Sequence, residues 1–299
     1  MLVTPRDVWL GRLQVALAGV LWSSSGLFVK APWFDGWPHE SKGILFAFWR
    51  SFFALLILLP LIRKPEWRWK MLPMMLCFTT MTWSFLSAMV HGPAANATWL
   101  QNLSPVWVLI FGVSVLKERF APADIGMFVC CLAGVGLILT MELGYGSTRA
   151  TLLGILSGLS FASVVLFLRY FRDVESTWLI ALNHTSNLVL LSPWIIPHVA
   201  DIPLNSYAAL AMFGIFQMSL PYVLFARGLR TTPSPEASLL TLIEPVLVPV
   251  WVFIAWHHHS TYQPVPWWTW SGGALILVGM LVRYVPSLWN YRGGSRTAA

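Results

Sequence analysis

Polar side chains recur at matched positions in two otherwise apolar segments. Thr98, Gln101 and Asn102 are spaced i, i+3 and i+4, so they share one face of a helix. Ser238 and Thr241 stand 140 residues after Thr98 and Gln101, in an equivalent segment. Inside an apolar bundle such side chains face the interior, where they either line a cavity or hydrogen-bond neighbouring helices. The spacing predicts two equivalent polar stripes, with Gln101, Asn102 and Ser238 contacting the polar head of a small molecule.

Ionisable side chains also fall within apolar runs. Glu244 would bind a substrate amine, carry a proton, or pair as a neutral acid with a nearby donor. Arg50, in the run FAFWRSFFALL, suits a carboxylate bound through two parallel hydrogen bonds. The alternative for Arg50 is a structural role in which the side chain extends to the nearby membrane interface, and the sequence favours that alternative. His184, beside Asn183 and Asn187, is its approximate counterpart in the second half of the chain.

Aromatic side chains inside the same runs would supply the walls of a binding site. An aromatic substrate gains from stacking and edge contacts with them, whereas packing against lipid or core is the alternative for each one. The candidates are Trp22, Trp83, Trp99, Phe161 and Tyr222. Other tryptophans, including Trp33 and Trp37, stand near the ends of apolar runs, where Trp typically anchors a helix at the membrane interface.

The elements that position these side chains are membrane-spanning helices. The 299 residues are 57% apolar and 10% charged, whereas soluble domains carry about 25% charged residues. A membrane-crossing helix needs roughly 20 mostly apolar residues. Ten segments meet that need: residues 11–31, 43–62, 71–90, 95–116, 124–142, 151–170, 178–197, 206–228, 236–256 and 267–286. The sequence therefore predicts an all-α membrane protein with ten transmembrane helices.

Lys and Arg residues are distributed unevenly between the two sides of such a protein. An even number of crossings puts both termini on the same side. Fifteen Lys and Arg residues lie on that side, and Lys30, Lys42 and Arg149 lie on the other. Because positive residues concentrate in cytoplasmic loops, we expect both termini in the cytoplasm and a multi-pass protein in the cell inner (plasma) membrane.

The chain repeats at an offset of 140 residues. Residues 93–105 (PAANATWLQNLSP) match residues 233–245 (PSPEASLLTLIEP), including both flanking prolines. The match predicts one five-helix repeat in residues 1–146, a second in residues 147–287, and a flexible cytoplasmic tail in residues 288–299. With an odd number of helices per repeat, the second copy must cross in the opposite direction. This is the inverted-repeat plan of many secondary transporters, with a central cavity between the halves.

Prolines at the matched positions suggest where such a protein bends. Pro105 and Pro245 lie mid-segment, where a proline removes a backbone donor and kinks a helix. We predict that these two act as hinges during alternating access. Pro93 and Pro233 are instead expected to begin helices, a position where proline is common.

The arrangement resembles the drug/metabolite transporter superfamily, specifically its EamA-type members. The resemblance rests on the helix that runs from Ala94 through Pro105 to the Lys117-Glu118-Arg119 turn, on the Gly-rich helix from Gly126 and on the second-helix Arg50. The second half departs from the pattern, because His257, His258 and His259 stand where an acidic turn is expected. Over the whole sequence the chain is most similar to YddG-type exporters, which implies export of aromatic amino acids.

The expected function is therefore a secondary transporter that exports small amphipathic metabolites by alternating access, as a monomer in the lipid bilayer. The sequence contains no phosphate-binding loop and no HExxH or GxSxG motif. We accordingly expect no ATP, cofactor, metal or nucleic acid, and no enzyme activity; the His257–His259 run reads as an outer loop. Export of other metabolites or drugs is the alternative. A membrane-embedded enzyme and a passive channel are more distant ones.

Overall fold

Helices form the framework of the protein, described from a computed structural model. The structure describes residues 5–104, 106–107, 110–111, 122–145, 147–171, 173–204, 206–228, 231–232, 240–260 and 262–294. The α-helices in chain order are α1 Pro5–Trp22, α2 Ser25–Val29, α3 Lys42–Leu58, α4 Met71–His91, α5 Ala94–Gln101, α6 Pro122–Tyr145, α7 Thr148–Tyr170, α8 Ser176–Ile195, α9 Ser206–Gly214, α10 Leu220–Gly228, α11 Ile243–Trp256 and α12 Trp267–Gly294.

Seven helical spans within these residues are long and apolar enough to cross a membrane. They are Arg6–Val29, Lys42–Leu61, Met71–His91, Ile125–Gly144, Thr148–Leu168, Ser176–His198 and Ser206–Gly228. The helix Ile243–Trp256 is apolar but shorter. A helix satisfies its own backbone hydrogen bonds, which is what a chain surrounded by lipid requires. The described residues include no β-strand, so the prediction of an all-α membrane protein is confirmed. The count of ten crossing helices stays a prediction.

Two of the spans contain an irregular turn. Between α1 and α2, Ser23 and Ser24 each donate from Oγ to the carbonyl three residues earlier, at 2.6 and 2.7 Å. Such side-chain bonds compete with the helical hydrogen-bond ladder. Between α9 and α10 the chain forms a π-helical turn, Ile215–Ser219. A π turn is often found at functional sites, and this one carries Gln217.

The two segments with matched prolines are interrupted at equivalent positions. α5 ends at Gln101 and is followed by a turn at residues 102–103. α11 begins after a turn at Leu242, which lies 140 residues after the start of the first turn. Pro245 therefore falls in the first turn of α11, where its missing N–H breaks no intrahelical bond. The interruption precedes Pro245, whose hinge role stays a prediction, and Pro105 lies outside the described residues.

The helices pack in a two-fold pattern. The pattern exchanges α1 with α7, α3 with α8, α4 with α9 and α10, α5 with α11, and α6 with α12. Accordingly α1 packs on α10 as α7 packs on α4, and α5 packs on α7 as α11 packs on α1 and α2. The pairs α3–α8, α5–α11 and α6–α12 each pack a helix on its own counterpart. These matched contacts agree with the predicted exchange of the two halves, and the inverted repeat itself stays a prediction.

Two glycines bring the backbones of α6 and α12 together. A Cβ added to Gly134 would lie 2.5 Å from the carbonyl oxygen of Gly272, and a Cβ added to Gly272 would lie 2.7 Å from that of Gly134. The neighbours are reciprocal as well, because Ile276 lies against Gly134 and Ile138 lies against Gly272. Small residues permit such close approach between membrane helices. The crossing point therefore repeats the two-fold pattern at the level of single residues.

The connection between α2 and α3 folds into one end of the bundle. Phe34 and Trp37 are buried there, with ring centroids 4.8 Å apart, and both pack on Phe46 of α3. Trp37 is thus a core residue, and its predicted role as an interface anchor is wrong because the connection turns inward. At the same end Arg149 donates to Glu40, and this hydrogen bond lowers the pKa of the Glu40 carboxyl below its ordinary value.

We expect Gly134→Ala to lower the free energy of unfolding by about 1–3 kcal/mol, the usual cost of overpacking a filled interface. The added methyl group meets the carbonyl of Gly272, and backbone yields only if a helix moves. Thermal or denaturant unfolding of the purified protein in detergent measures the effect. Gly136→Ala is the matched control on the same helix, since a Cβ there meets nothing within 4 Å. Equal stability of the two variants would contradict the close crossing.

Candidate functional site

Trp22 and Tyr222, both predicted to contact a substrate ring, meet where α1 ends against α10. Their ring centroids are 5.2 Å apart and their planes are inclined at 72°, an edge-to-face pair. Phe225 also packs on Trp22, with centroids 5.1 Å apart. Trp22 and Tyr222 are each half-buried, so part of each ring is left uncovered. Uncovered aromatic faces and edges favour contact with another aromatic ring.

Phe161 joins this pair through a shared apolar cluster. Phe161 and Tyr222 both pack against one buried cluster, whose members are Ala54, Phe78, Met81, Val164 and Met218. The cluster draws on α3, α4, α7 and the π turn, so both halves of the chain contribute to it. The structure therefore brings together three of the five aromatic residues predicted for the site.

Trp99 and Trp83 are not part of this group. Trp99 is buried and rests on Gly273 of α12, where an added Cβ would lie 2.4 Å from the indole ring. It packs with Leu100 and Ile276 between α5 and α12, which makes it a core residue in this structure. Trp83 is half-buried in α4 and makes no ring contact with any residue that the structure describes.

The predicted polar stripe of α5 is engaged in local hydrogen bonds. Gln101 Nε2 donates to Ser157 Oγ of α7 at 2.8 Å, and Asn102 Nδ2 donates to the carbonyl of Thr98 at 3.0 Å. The second bond satisfies a carbonyl next to the helix interruption, which explains why an amide stands there. Both side chains are half-buried. Ser238, the predicted counterpart in the second half, lies outside the described residues.

Glu244 lies in the first turn of α11, where the partial positive charge of a helix N-terminus favours a carboxylate. The side chain is half-buried. Glu244 is within electrostatic range of Arg50 and Tyr222. The predicted acidic residue thus interacts electrostatically with Tyr222 of the aromatic pair and with Arg50.

Arg50 is buried in α3, with 2% of its surface exposed. Its Nη1 donates to Gln217 Oε1 at 3.0 Å, and Gln217 Nε2 donates to the carbonyl of Trp22 at 3.4 Å. The guanidinium carbon lies 5.3 Å from the centre of the Phe213 ring. The favoured interpretation, a side chain extended to the interface, is therefore wrong, because Arg50 turns inward to the π turn. The sequence analysis missed Gln217, although a polar residue within an apolar run is the signal that could have identified it.

A second polar network joins α3, α4 and α8. Asn187 Nδ2 donates to Ser51 Oγ at 2.7 Å and to Thr82 Oγ1 at 3.0 Å, and His184 Nδ1 lies 3.1 Å from Ser51 Oγ. All four side chains are buried. Hydrogen bonds between buried side chains of neighbouring helices hold a membrane bundle together. His184 therefore has a packing role here, although it was singled out as the counterpart of Arg50.

Glu142 is a buried acidic residue that the sequence reasoning missed. It is 2% exposed and accepts three hydrogen bonds: from Asn96 Nδ2 at 2.6 Å, from the Trp268 indole at 3.0 Å and from the Ser147 backbone N–H at 2.9 Å. Its position at the edge of predicted segment 124–142 concealed it. Three donors satisfy a carboxylate well. Glu142 therefore joins α5, α6, α12 and the start of α7.

A surface pocket of about 300 Å³ lies apart from these residues, beside the connection between α11 and α12. Its lining is largely apolar: Pro249, Val250, Phe253, Tyr262, Pro264, Val265 and Trp270. None of the predicted substrate-binding residues lines it. Among the described residues, no group of three or more His, Cys, Asp or Glu side chains is arranged to hold a metal ion.

Comparison with known proteins connects this geometry to a family. The model of the EamA-like transporter family matches residues 9–140 and again residues 148–285. An uncharacterized transporter from Archaeoglobus fulgidus is 27% identical over 282 residues, covering 92% of this chain and 96% of that protein. One solved structure, described as the crystal structure of a protein, has a TM-score of 0.60 at 17% identity. The match covers 92% of this chain and 97% of that one, and it shows the fold alone.

We expect Glu142→Ala to lower the free energy of unfolding by at least about 2 kcal/mol, since each buried donor left without a partner costs about 1–3 kcal/mol. Unfolding of the purified protein in detergent measures the loss. Glu40→Ala is the control, because it removes an exposed carboxylate whose surface ion pair with Arg149 is worth about 0–1 kcal/mol. A Glu142→Ala protein as stable as Glu40→Ala would refute the proposed tie between the four helices.

Proposed function

The chain belongs to the EamA-like transporter family, whose model matches both halves of it, and on that basis we propose that it exports aromatic amino acids by alternating access. Membership of the family makes it a membrane transporter. The proposal adds the substrate and the transport mechanism. Its main support is the meeting of Trp22 and Tyr222, half-buried and edge-to-face, with Glu244 within electrostatic range.

The chemistry of an aromatic amino acid fits this group of residues. Its ring would lie against Trp22, Tyr222 and Phe161, where edge and stacking contacts are favourable. Its ammonium group would be attracted by Glu244. Gln101, Asn102 and Ser238, together with Trp83 and Trp99, complete the set of substrate contacts that the sequence predicts. Their participation requires rearrangement, since Gln101 and Asn102 are hydrogen-bonded elsewhere and Trp99 is packed in a core.

Alternating access is supported by the symmetry of the packing. We propose that the two five-helix repeats cross the membrane in opposite directions, as the odd number of helices in each requires. Equivalent pairs such as α1–α10 and α7–α4 would then exchange roles as the protein opens to either side. The matched interruptions at residues 102–103 and at Leu242, next to Pro105 and Pro245, would absorb the change of angle.

The distribution of Lys and Arg residues supports a membrane location and an orientation for the chain. We propose an inner-membrane location with both termini in the cytoplasm, because 15 Lys and Arg residues fall on that side in the predicted topology. Two repeats within one chain enclose a site without a second copy, so a monomer is the proposed functional unit. Export of other small amphipathic metabolites by the same route is the alternative.

Proteoliposomes that contain the purified protein are expected to show saturable, protein-dependent flux of labelled L-phenylalanine, reduced by unlabelled tyrosine and tryptophan. Flux is measured with and without an imposed pH gradient, which also identifies proton coupling. Lack of protein-dependent flux of all three amino acids would overturn the proposed substrate. Flux of other metabolites under the same conditions would then favour the alternative.

Tyr222→Ala is expected to raise the half-saturating phenylalanine concentration about 2- to 10-fold, the factor that corresponds to an aromatic pair worth about 0.5–1.5 kcal/mol. Trp69→Ala serves as the matched control, since Trp69 is 77% exposed and contacts Trp67 away from the site. Concentration series in the same proteoliposomes measure both values. Equal half-saturating concentrations for Tyr222→Ala and Trp69→Ala would remove Tyr222 from the site.

A further inference from the structure

Arg50 carries more hydrogen-bonding capacity than the protein uses. A guanidinium has five N–H donors, and among the described residues Arg50 makes one hydrogen bond, to Gln217. Its Nε is buried without any partner. A buried charge is stable when it is paired and fully hydrogen-bonded, and it is costly otherwise. The unused donors therefore point to a partner that is absent from the protein itself.

The neighbouring charge does not fill this role. Glu244 attracts Arg50 electrostatically, yet the two side chains do not form an ion pair. The cation and the carboxylate are thus held apart while each influences the other. A ligand with both a negative and a positive group would satisfy them together.

The contacts of Gln217 connect Arg50 to the aromatic pair. Gln217 accepts from Arg50 and donates to the backbone of Trp22, which packs edge-to-face on Tyr222. A single side chain thus separates the guanidinium from the residues proposed to hold the ring. In an aromatic amino acid two carbon atoms link the carboxylate to the ring, so one molecule carries both of the groups that these neighbouring residues would bind.

We propose that Arg50 is the receptor for the carboxylate of the substrate, with Gln217 orienting its guanidinium. The site would therefore select α-amino acids over amines that have the same ring. The proposal rests on the proposed transport of aromatic amino acids and adds the group that recognises the acid. An Arg guanidinium binds a carboxylate through two parallel hydrogen bonds that use Nε and one Nη. The unpartnered Nε is the atom that such a bond requires.

Calorimetric titration of the full-length protein in detergent tests this with three ligands. L-phenylalanine carries both charged groups, 3-phenylpropionate only the carboxylate, and phenethylamine only the ammonium. With the unaltered protein we expect L-phenylalanine and 3-phenylpropionate, the two ligands with a carboxylate, to bind at least about tenfold more tightly than phenethylamine, because hydrogen bonds to a charged group are worth that much. Equal binding of phenethylamine and phenylalanine would overturn the proposal without any variant.

Arg50→Gln is expected to weaken phenylalanine binding about 10- to 100-fold and to leave phenethylamine binding the same or tighter. The second result separates recognition from a structural role, because a collapsed site would weaken both ligands and because removing a cation cannot weaken attraction for another cation. Arg50→Lys keeps the positive charge but lacks the planar guanidinium, and it is expected to lose an intermediate amount of affinity for phenylalanine. Arg63→Gln, which removes an exposed arginine, is the matched control and should change neither ligand.

Gln217→Leu keeps the test decisive if Arg50→Gln does not fold. If Arg50 only supports Gln217, then Gln217→Leu should weaken all three ligands alike, and the proposal is wrong. If Arg50 binds the carboxylate and Gln217 orients it, Gln217→Leu should weaken phenylalanine and 3-phenylpropionate more than phenethylamine. Binding of none of the three ligands to the unaltered protein would refute the proposed function as well, whereas binding without carboxylate preference refutes this inference alone.

Discussion

The close approach of α6 and α12 at Gly134 and Gly272 is the contact on which the rest of the arrangement depends. In lipid, apolar side chains gain little by leaving their surroundings, so helices associate through tight packing and hydrogen bonds. Here each glycine faces the carbonyl of the other, and the isoleucines that flank them are reciprocal. This contact brings a helix of the first family-matched segment directly against a helix of the second. In the same way α5 packs against α11 and α3 against α8.

The two buried ionisable side chains Glu142 and Arg50 differ in how completely they are hydrogen-bonded. Glu142 receives three hydrogen bonds from neutral donors and joins four helical elements. Arg50 receives almost no compensation, with one hydrogen bond and an unpartnered Nε. Unpaired buried charge costs stability, so the two residues have different roles. Glu142 with its three donors connects helices, whereas the incompletely hydrogen-bonded Arg50 is the group that we propose binds a ligand.

Much of the fold was predictable because lipid imposes a simple rule. Long apolar segments must form helices, and the predicted segments agree with the observed helices to within a few residues over most of the described chain. Side-chain partners were not predictable in the same way. Trp37 was predicted to be an interface anchor because it follows an apolar run. The segment between α2 and α3 instead folds back and buries it in the core. Trp99 is of a residue type that suits a substrate contact. Only its close packing against Gly273 shows that it is a core residue.

The most informative failure concerns Arg50, whose side chain was predicted to extend to the membrane interface and is instead buried. The partner that turns it inward, Gln217, is 167 residues away and lies in a π turn that no local pattern indicates. Gln217 in turn reaches the last residue of α1, beside the break at Ser23 and Ser24. Glu244 likewise stands just after the turn at Leu242. Trp22, Gln217 and Glu244 thus each lie in or beside an irregular turn of a helix, whereas Arg50 lies within the regular helix α3. Regular helices bury their polar backbone atoms, and irregular backbone at membrane depth is tolerated where protein encloses it or where it lines a cavity. The departures from regularity therefore locate the site more precisely than residue type does.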